Sequence, residues 1–427
     1  MKNKLHFFKI IGILLLTTVL SRCTLWTPDR MEADCPEVLS VTPNGAQAGA
    51  RVTLTGKNFT ADYPHLFTLT IGGEAIAIQS MPNDTTLVFQ VPLGIKSGPV
   101  HVSRNNSCGG PVTSQVNFRY FYSTASSLTK FAGTVGDKTC NDCFSLPRGM
   151  DIQGAILYVA DYSRHVVRQV NLSTGAINRL AGVLDSMGYY DSSVGTSAKF
   201  TNPSDVAVGA VNEIYVADEG NHCVRKINND ANKGVSTLSG DRMRPSPSNE
   251  DPALTSIANA KFIYPKGIAT DKQGKVFVTE PSRNRVKYID QNNGNVTKIL
   301  TGSPLNLPTG IAFSEKRTAA LGSLFLANGN SGRLLNLAIN GGYRNTPDVL
   351  SNNIYSIPID AELDSEGTLF VLDQGMKKIV VVYPDNRYNY LELTGIVTPG
   401  GVALDESNKT IYVSDEKSNV IYSIKYN

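Results

Sequence analysis

The sequence lacks the basic excess that a nucleic-acid-binding surface requires. Its 427 residues include 40 Lys and Arg against 37 Asp and Glu. Residues 1–22 hold four of the basic residues and none of the acidic ones, so removing them leaves 36 basic and 37 acidic residues, a net charge of −1. Recognition of a phosphate backbone depends on a surplus of Lys and Arg. We therefore expect no nucleic-acid partner.

The apolar run at the N-terminus is too short to cross a bilayer. Ile10–Leu20 is 11 residues long, whereas a membrane-spanning helix takes about 20. Lys2 and Lys4 precede the run and Cys23 follows it, an arrangement that resembles a bacterial lipoprotein signal. The resemblance implies a signal peptide over residues 1–22, lipidation of Cys23 and a membrane partner through that lipid. Because Thr24 rather than Asp follows the cysteine, we expect the outer membrane or cell surface; an ordinary secreted protein or an uncleaved anchor is the alternative.

The sequence also lacks the short motifs of common enzyme classes. It contains no Gly-x-Ser-x-Gly nucleophile elbow, no P-loop and no His-Glu-x-x-His motif. The Ser and Asp residues of its C-terminal part show no spacing that orders them into a catalytic triad. We therefore predict no catalytic residues and no cofactor, and we favour a non-catalytic role over an enzymatic one.

Cysteine is scarce, and the few residues fit an oxidising compartment. Five of the six cysteines remain once the lipidation site is set aside. Cys35 and Cys108 flank one candidate domain and are a candidate disulfide. Cys140 and Cys143 have the spacing of a redox or metal motif, but no second pair and no nearby His accompany them, so a disulfide that staples a loop is favoured. Cys223 is predicted to be a free buried thiol on a strand.

Short strands and turns alternate over residues 36–122, after a tether at residues 23–35, and this pattern is typical of an all-β sandwich. Gly72-Gly73 is the predicted hairpin turn. The predicted strands are Val38–Pro43, Arg51–Gly56, Phe67–Ile71, Thr86–Val91, Val100–Ser103 and Gln115–Tyr120.

The same segment resembles an IPT/TIG immunoglobulin-like domain. The residues that carry the resemblance are Ser40-Val-Thr-Pro-Asn-Gly45, Gly49-x-x-Val-Thr-Leu-Thr-Gly56-x-x-Phe59, Ile71-Gly-Gly73 and Val91-Pro-x-Gly94-x-x-Ser97-Gly98. Domains of that family are mostly spacers and interaction modules. The resemblance therefore implies presentation of a neighbouring domain rather than chemistry.

Residues 123–427 repeat one pattern six times. Each copy begins near a Pro, continues into a short aliphatic strand that closes on an acid or amide, and has an aliphatic residue six positions later. The closing residues are Asp161, Asp218, Glu280, Asn328, Asp373 and Asp415. A unit of this size cannot bury an apolar face alone and must stack against its neighbours. Four short antiparallel strands per copy predict the blades of a β-propeller.

The last copy stops after its third strand, and a matching strand precedes the first copy. Leu128–Gly133 resembles Ile177–Gly182, the fourth strand of the first copy. We expect Leu128–Gly133 to complete the last blade, which gives a six-bladed propeller closed by strand exchange between its N- and C-terminal segments. Closure would remove two sheet edges with unpaired backbone groups.

The first two copies resemble NHL repeats most plainly, in Tyr158-Val-Ala-Asp161-x-x-x-His165-x-Val-Arg168 and Tyr215-Val-Ala-Asp218-x-x-Asn-His222-x-Val-Arg225. The NHL family includes binding platforms and a few enzymes, so the resemblance does not decide function. The recurring acids could form a cation site, but a role in satisfying backbone N–H groups at a turn is favoured. Because zinc takes three or four protein ligands and only two His are present in the repeats, we predict no metal.

The loops between copies are unequal, and the long ones precede the second and third copies. They carry the candidate ligand residues Tyr189, Tyr190, Asp191, Arg242, Arg244 and Asn249, with Tyr343 and Arg344 as a weaker candidate in the fourth copy. A Tyr ring stacks on apolar C–H faces of a sugar while polar neighbours bind hydroxyls or amides. We interpret these loops as a ligand-binding rim that the blades themselves do not need; loops without a ligand are the alternative.

The sequence therefore predicts an all-β, lipid-anchored envelope protein with an IPT/TIG domain and an NHL propeller. Its leading function is that of a non-catalytic binding module. Resemblance to surface lipoproteins that pair these domains implies capture of complex glycans, with a polysaccharide as partner. The alternatives are a hydrolase or lyase acting in the propeller channel, and a scaffold that docks an outer-membrane protein.

Overall fold

The computed structural model describes residues 35–47, 49–60, 64–92, 95, 98–104, 116–121, 128–136, 140, 142–242, 253–315, 323–338, 348–349, 354–384 and 388–426. The fold is all-β, as predicted. The helices within these ranges are single 3-10 turns: Pro64–Leu66, Tyr162–Arg164, Gly195–Ser197, Glu219–Asn221, Pro281–Arg283 and Gly329–Ser331. None of the helices in the described ranges has the length and apolarity to cross a bilayer. The chain divides into two compact units between residues 123 and 124.

The N-terminal unit contains nine described strands in two sheets, in the orders β1-β3-β7-β6 and β2-β9-β8-β4-β5. The strands are β1 Glu37–Thr42, β2 Gly45–Gln47, β3 Arg51–Lys57, β4 Phe67–Ile71, β5 Glu74–Ile76, β6 Ile78–Asn83, β7 Thr86–Gln90, β8 Gly98–Arg104 and β9 Asn117–Phe121. Phe89 of the first sheet meets Phe118 of the second edge-to-face, with ring centroids 5.7 Å apart. Both rings are fully buried, so this aromatic contact joins the two sheets.

Three strands of this unit, β2, β5 and β6, were not among the predicted strands, although the predicted hairpin turn Gly72-Gly73 does join β4 to β5. β2 is three residues long and pairs in parallel with β9, so it is too short for a period-two pattern. β6 contains Pro82 and lies at the edge of its sheet, where a residue without an N–H is tolerated. β8 begins at Gly98, two residues before the start of the predicted strand Val100–Ser103.

The C-terminal unit forms six antiparallel sheets over its described residues, numbered here as blades 1 to 6. Blade 1 contains β11 Pro147–Gln153, β12 Ile156–Asp161, β13 Val166–Asn171 and β14 Ile177–Ala181. Blade 2 contains β15 Pro203–Val208, β16 Ile214–Asp218, β17 Cys223–Ile227 and β18 Val235–Gly240. Blade 3 contains β20 Ile268–Thr270, β21 Lys275–Glu280, β22 Arg285–Asp290, β23 Asn295–Thr301 and, outside them, β19 Leu254–Ser256.

The remaining three blades follow the same order. Blade 4 contains β24 Pro308–Ser314, β25 Ser323–Asn328, β26 Arg333–Ala338 and β27 Asp348–Val349. Blade 5 contains β28 Pro358–Leu363, β29 Leu369–Asp373, β30 Lys378–Val382 and β31 Tyr388–Glu392. Blade 6 contains β32 Pro399–Asp405, β33 Thr410–Asp415, β34 Val420–Lys425 and β10 Leu128–Gly133.

The first strands of the blades surround a common centre. β11, β15, β20, β24, β28 and β32 each contact the first strand of the blade before and after, and β32 contacts β11. Glycine permits this close approach. A Cβ on Gly149 would lie 1.8 Å from Oδ1 of Asp205, and one on Gly310 would lie 2.4 Å from Cα of Asp360. Larger side chains at these two positions would push neighbouring blades apart.

β10 supplies the outermost strand of blade 6. It pairs antiparallel with β34, and Leu128 lies opposite Ile424 while Gly133 lies opposite Val420. Ala132 is buried in a cluster with Phe144 and Ile421. The N- and C-terminal segments of this unit therefore share one sheet and one part of the core.

The long loops before blades 2 and 3 lie along the outer edges of those blades, which corrects their interpretation as segments that the blades do not need. Ser192 and Val235 of β18 exchange two backbone hydrogen bonds of 2.7 and 3.0 Å. Leu254–Ser256 forms β19 and pairs with β23. Both loops thus cover edge strands whose N–H and C=O groups would otherwise be available to another chain.

We predict that Ala132→Asp lowers the free energy of unfolding by about 3 kcal/mol or more, because it places a carboxylate in the apolar cluster without a partner. Lys130→Asp, at an exposed position on the same strand, should change stability by no more than about 0.5 kcal/mol. Urea unfolding of the full chain followed by far-UV circular dichroism measures both. Equal stability of the two variants would contradict the placement of β10 in blade 6.

Candidate functional site

The acid or amide that closes the second strand of each blade is buried and binds the loop that enters the blade. Its side-chain oxygen accepts a backbone N–H from a residue 16 to 22 positions earlier in the chain. The donor and acceptor pairs are Ser145 to Asp161 at 2.8 Å, Thr201 to Asp218 at 2.8 Å, Ile263 to Glu280 at 2.6 Å, Asn306 to Asn328 at 2.6 Å, Ser356 to Asp373 at 2.6 Å and Val397 to Asp415 at 2.8 Å. These side chains do satisfy backbone N–H groups, as predicted, but the groups belong to the entering loop; backbone N–H groups of the turn itself donate to Asp373 and Asp415. We call each such contact a loop clasp.

In the first three blades the clasp carries an ion pair as well. Nε of Arg168 lies 3.0 Å from Oδ2 of Asp161, and Nη1 of Arg225 lies 2.9 Å from Oδ2 of Asp218. Burial raises the pKa of both aspartates to about 6, against the opposing effect of the arginines. Glu280 pairs with Arg285 in the same way. Each of these ion pairs is almost completely removed from water.

The two repeat histidines also serve the connections between blades. His165 and His222 both adopt the left-handed backbone conformation, with φ of 57°. Nδ1 of His165 accepts the N–H of Asn202, and Nδ1 of His222 accepts the N–H of Tyr264, each at 3.1 Å. Burial lowers the pKa of His165, which favours the neutral ring that can accept a hydrogen bond. The predicted structural role of these histidines is confirmed. The described residues hold no group of three or more His, Cys, Asp or Glu that could bind a metal.

Among the predicted ligand residues Tyr189, Tyr190 and Asp191, two bond to blade 2 through their side chains and Tyr190 is largely exposed. Oδ1 of Asp191 accepts hydrogen bonds from Arg225 at 2.5 Å and from the Thr237 hydroxyl at 3.1 Å, and its Oδ2 accepts the Thr237 N–H at 2.9 Å. The Tyr189 hydroxyl bonds to the same Thr237 hydroxyl at 3.1 Å. Tyr190 alone among the three has a largely exposed ring, at 58%. Asp191 and Tyr189 therefore fasten the loop to blade 2.

The remaining predicted residues are only partly described. Arg242 is exposed at the end of a described range. Those outside the described residues are Cys23, Cys108, Arg244, Asn249, Tyr343 and Arg344.

The predicted cysteine chemistry is largely confirmed. Cys140 and Cys143 form a disulfide, and Cys223 is a buried free thiol on β17. Burial raises the pKa of that thiol. Cys35 is disulfide-bonded; its pairing with Cys108 stays a prediction.

A recess opens where the first strands begin, beside the clasp turns, and all six blades contribute to it. It has an empty volume of about 450 Å³. The residues that line it are Arg148, Gly149, Ser204, Asp205, Lys266, Gly267, Thr309, Gly310, Ile359, Asp360, Gln374, Gly400 and Glu416. We call it the clasp-side recess.

Arg148 connects three blades at this recess. Its guanidinium carbon lies 3.5 Å above the centroid of the Tyr162 ring, a cation–π contact. Its Nη1 lies 3.3 Å from Oε2 of Glu219 in blade 2, and its Nε lies 3.2 Å from Oε1 of Glu416 in blade 6. Burial raises the pKa of both glutamates, and the charge of Arg148 opposes that shift. The result is a fixed, half-buried set of one cation between two anions.

Lys266 lines the same recess from blade 3. Its Nζ makes neither a hydrogen bond nor an ion pair with any described residue, although its backbone N–H donates to Thr279 at 2.9 Å. Burial is the main cause that lowers the pKa of Lys266, and the nearby charge of Arg148 adds to the effect, whereas Glu219, Glu416 and Asp205 oppose it. An ammonium in this position is available to a ligand.

Further into the centre, three carboxylates join the first strands of adjacent blades. Asp205 accepts the N–H of Val206 at 2.8 Å and that of Ile268 in the next blade at 2.9 Å. Asp151 and Asp360 each bind their own following N–H and one from the next blade in the same way. Burial is the main cause that raises the pKa of all three, to about 7 for Asp360. Each carboxylate oxygen already holds a backbone group of the ring.

A second recess opens on the other side of these carboxylates. It has an empty volume of about 680 Å³ and includes Asp151, Asp205, Asp360, Glu362 and Lys272 in its lining. Burial and the neighbouring aspartates raise the pKa of Glu362. Apart from Lys272, its charged groups are all acidic.

Sequence reasoning missed the clasp-side recess because its residues vary from blade to blade. The residues after each starting Pro are Arg148, Ser204, Lys266, Thr309, Ile359 and Gly400, and those after each closing acid or amide are Tyr162, Glu219, Pro281, Gly329, Gln374 and Glu416. A signal was nevertheless present. Both positions are next to residues that recur in the copies, namely the starting Pro and the closing acid or amide. A residue that the blade itself required would also recur, so the variation at these two positions indicated another role.

Comparison with known proteins supports both parts of the fold. Residues 36–120 match the IPT/TIG domain model, and residues 200–227 match the NHL repeat model. SUPPRESSOR OF QUENCHING 1 of Arabidopsis thaliana is 26% identical over 196 residues, which are 42% of this chain and 18% of that protein. Human NHL repeat-containing protein 2 is 26% identical over 185 residues, 39% of this chain and 24% of that protein. The chain thus spans about a quarter or less of these two relatives.

Similar solved structures extend over most of the chain. Auxiliary nutrient binding proteins of Bacteroides thetaiotaomicron and Bacteroides ovatus align with TM-scores of 0.52 and 0.51, at 13% and 14% identity. Each alignment covers 92% of this chain, and 97% or 98% of the other. A gluconolactonase of Xanthomonas campestris aligns with a TM-score of 0.53 at 13% identity, over 71% of this chain and 90% of that one. At these identities the likeness shows the fold alone.

We predict that Asp161→Asn lowers the free energy of unfolding by about 3–5 kcal/mol, because Arg168 loses its countercharge in a site without water. Adding Arg168→Met removes the second charge and should recover at least half of that loss. Denaturant unfolding of the full chain measures the single and double variants. A double variant no more stable than Asp161→Asn would show that the ion pair is not the source of the loss.

A pH-dependent stability follows from Asp360. Because its folded-state pKa of about 7 lies above the ordinary 3.8, the folded protein binds the proton more tightly than the unfolded chain does. This contribution to the free energy of unfolding is complete below pH 3.8 and is lost as the pH rises to about 7. We expect the stability of the wild type relative to Asp360→Asn to fall by up to about 2.5 kcal/mol between pH 5.0 and 7.5. Thermal unfolding at each pH measures it, and a pH-independent difference would contradict the shift.

Proposed function

We propose that this protein is an envelope lipoprotein whose propeller binds complex glycans without chemical turnover, at the clasp-side recess. The observation that carries the proposal is the set of charged groups fixed there by side chains from several blades. Arg148, Glu219 and Glu416 hold one another in place before a ligand arrives. Little ordering entropy then remains to be lost on binding, which favours affinity.

The chemistry of the recess suits a polyhydroxylated ligand. A sugar offers both hydrogen-bond donors and acceptors, and the recess has both kinds of group. The glutamate carboxylates keep lone pairs that Arg148 does not occupy, so they can accept from hydroxyls. Tyr162 contributes an aromatic ring beside them. The likeness to auxiliary nutrient binding proteins of Bacteroides supports a binding role. The location at the cell envelope and the attachment through Cys23 are parts of the proposal.

The proposal predicts which variant loses binding. The purified mature protein should bind at least one polysaccharide on a glycan array or in affinity gels, and Arg148→Met should weaken binding at least about tenfold, since it releases both glutamates. Tyr190→Ala, on the loop of blade 2, is the matched control and should keep its affinity. Loss of binding in Tyr190→Ala alone would move the site to that loop. No retention on any polysaccharide would contradict glycan capture.

A hydrolase or lyase in the channel is the second candidate. The observation in its favour is the group of buried carboxylates with raised pKa values at Asp205 and Asp360, since an acid that holds its proton near neutral pH can donate it in catalysis. Their oxygens already bind backbone N–H groups, so the binding role ranks first. Screening for turnover decides between them, and repeating it with a chelator shows whether any turnover needs a metal.

A further inference from the structure

The two cations of the clasp-side recess are in different electrostatic situations. Arg148 lies within 3.3 Å of a carboxylate oxygen on either side, from Glu219 and Glu416. Lys266 has no ion pair with any described residue, although its ammonium is half-buried. A charge that is partly removed from water costs free energy unless a partner compensates it. Burial and the charge of Arg148 lower the pKa of Lys266 by more than three nearby carboxylates raise it, so the ammonium is only partly compensated. Those carboxylates belong to Glu219, Glu416 and Asp205.

We propose that Lys266 binds the anionic group of an acidic sugar residue, so that the ligand of this recess is a glycan bearing carboxylate or sulfate groups. This inference rests on the glycan-binding function proposed above and names the class of glycan.

The surroundings of Lys266 make an anion the matching group. The hydroxyl of Ser204 donates to the carbonyl of Lys266 at 2.9 Å, and the hydroxyl of Thr309 donates to the carbonyl of Ala327 at 3.3 Å. These hydroxyls are therefore engaged with the backbone and leave the ammonium as the available donor. An ammonium is a compact charge with three donors, and it binds a carboxylate or sulfate without a fixed orientation. Partial burial strengthens that attraction relative to bulk water.

The neighbouring glutamates do not replace such a ligand. Both pair with Arg148, which lies between their blades; they attract the charge of Lys266, but neither forms an ion pair with it. They remain suited to accept hydrogen bonds from sugar hydroxyls next to the anionic group. The recess thus offers a cation for the acidic substituent and anions for the hydroxyls of one saccharide.

The opposite recess provides an internal comparison. Its only described cation is Lys272, which is exposed and shares the recess with Asp360 and Glu362. Asp205 and Asp360 line both recesses, but this side adds Asp151 and Glu362 and has no counterpart of Arg148 in its described lining. Lys272→Met removes one positive charge at the other end of the channel, as Lys266→Met does at the clasp-side recess. It is therefore a matched control.

The test uses acidic oligosaccharides beside neutral versions of the same chain. The probes are oligogalacturonate and hyaluronan fragments with their carboxyl-reduced counterparts, and chondroitin sulfate fragments with their desulfated counterparts. Calorimetric titration of the full mature protein should show binding of at least one acidic probe. We expect at least a tenfold loss when the anionic group is removed, and a similar loss in Lys266→Met. Lys266→Arg and Lys272→Met should retain affinity.

The outcomes separate this inference from the function on which it rests. Equal affinity for an acidic probe and its neutral counterpart, or unchanged affinity in Lys266→Met, would overturn the role of Lys266 while leaving glycan binding intact. Loss in Lys272→Met alone would place the anion at the other recess and also overturn it. Failure of every acidic and neutral saccharide to bind would overturn both proposals. Loss on carboxyl reduction but not on desulfation would identify a carboxylate as the group bound.

Discussion

The loop clasp is the contact on which the rest of the propeller depends. In each blade a buried acid or amide at the end of the second strand holds the segment that leads into the first strand. The first strand is thereby fixed at its starting end, next to the centre of the ring. Arg148 and Lys266 each follow the Pro at that end, so the positions of the recess side chains follow from the clasps. In Asp218, for example, one carboxylate binds the Thr201 N–H, the Asn221 amide and the Arg225 guanidinium.

The strength of the clasp differs between the two halves of the ring. In blades 1 and 2 a buried Arg seven positions after the acid completes it, and in blade 3 Arg285 and Lys287, five and seven positions after Glu280, do so. The residues seven positions after the acid or amide in blades 4 to 6 are Leu335, Val380 and Tyr422. Asp373 and Asp415 instead accept several turn N–H groups. The same backbone geometry is thus stabilised by a charge pair in one half and by neutral donors in the other. The NHL resemblance is accordingly plainest in the early copies, because it includes the Arg.

Much of the fold could be predicted from the sequence, and less of the site. The closing residues such as Asp161 recur at fixed spacing, and strand alternation in β3 is regular, so the blades and the sandwich were accessible from periodicity. Contacts between segments that are distant in the sequence could not be predicted in this way. The pairing of Ser192 with Val235 and of Leu254 with Thr297 depends on where a loop lies in three dimensions. Arg148 meets Glu219 and Glu416 only because the ring closes, and no local pattern encodes that meeting.

The pairing of β10 with β34 has a consequence for biogenesis. Thr129 and Ser423 lie 294 positions apart in the chain and bond side chain to side chain. Pairings between such distant segments form slowly, because a long loop must be closed before the contact is gained. Because β34 lies between β10 and β33, blade 6 can contain no more than the two strands β32 and β33 until β34 has emerged from the ribosome and, in an exported protein, from the translocon. During that interval β10 lacks the strand with which it pairs, and a chaperone that shields extended segments would act at this stage.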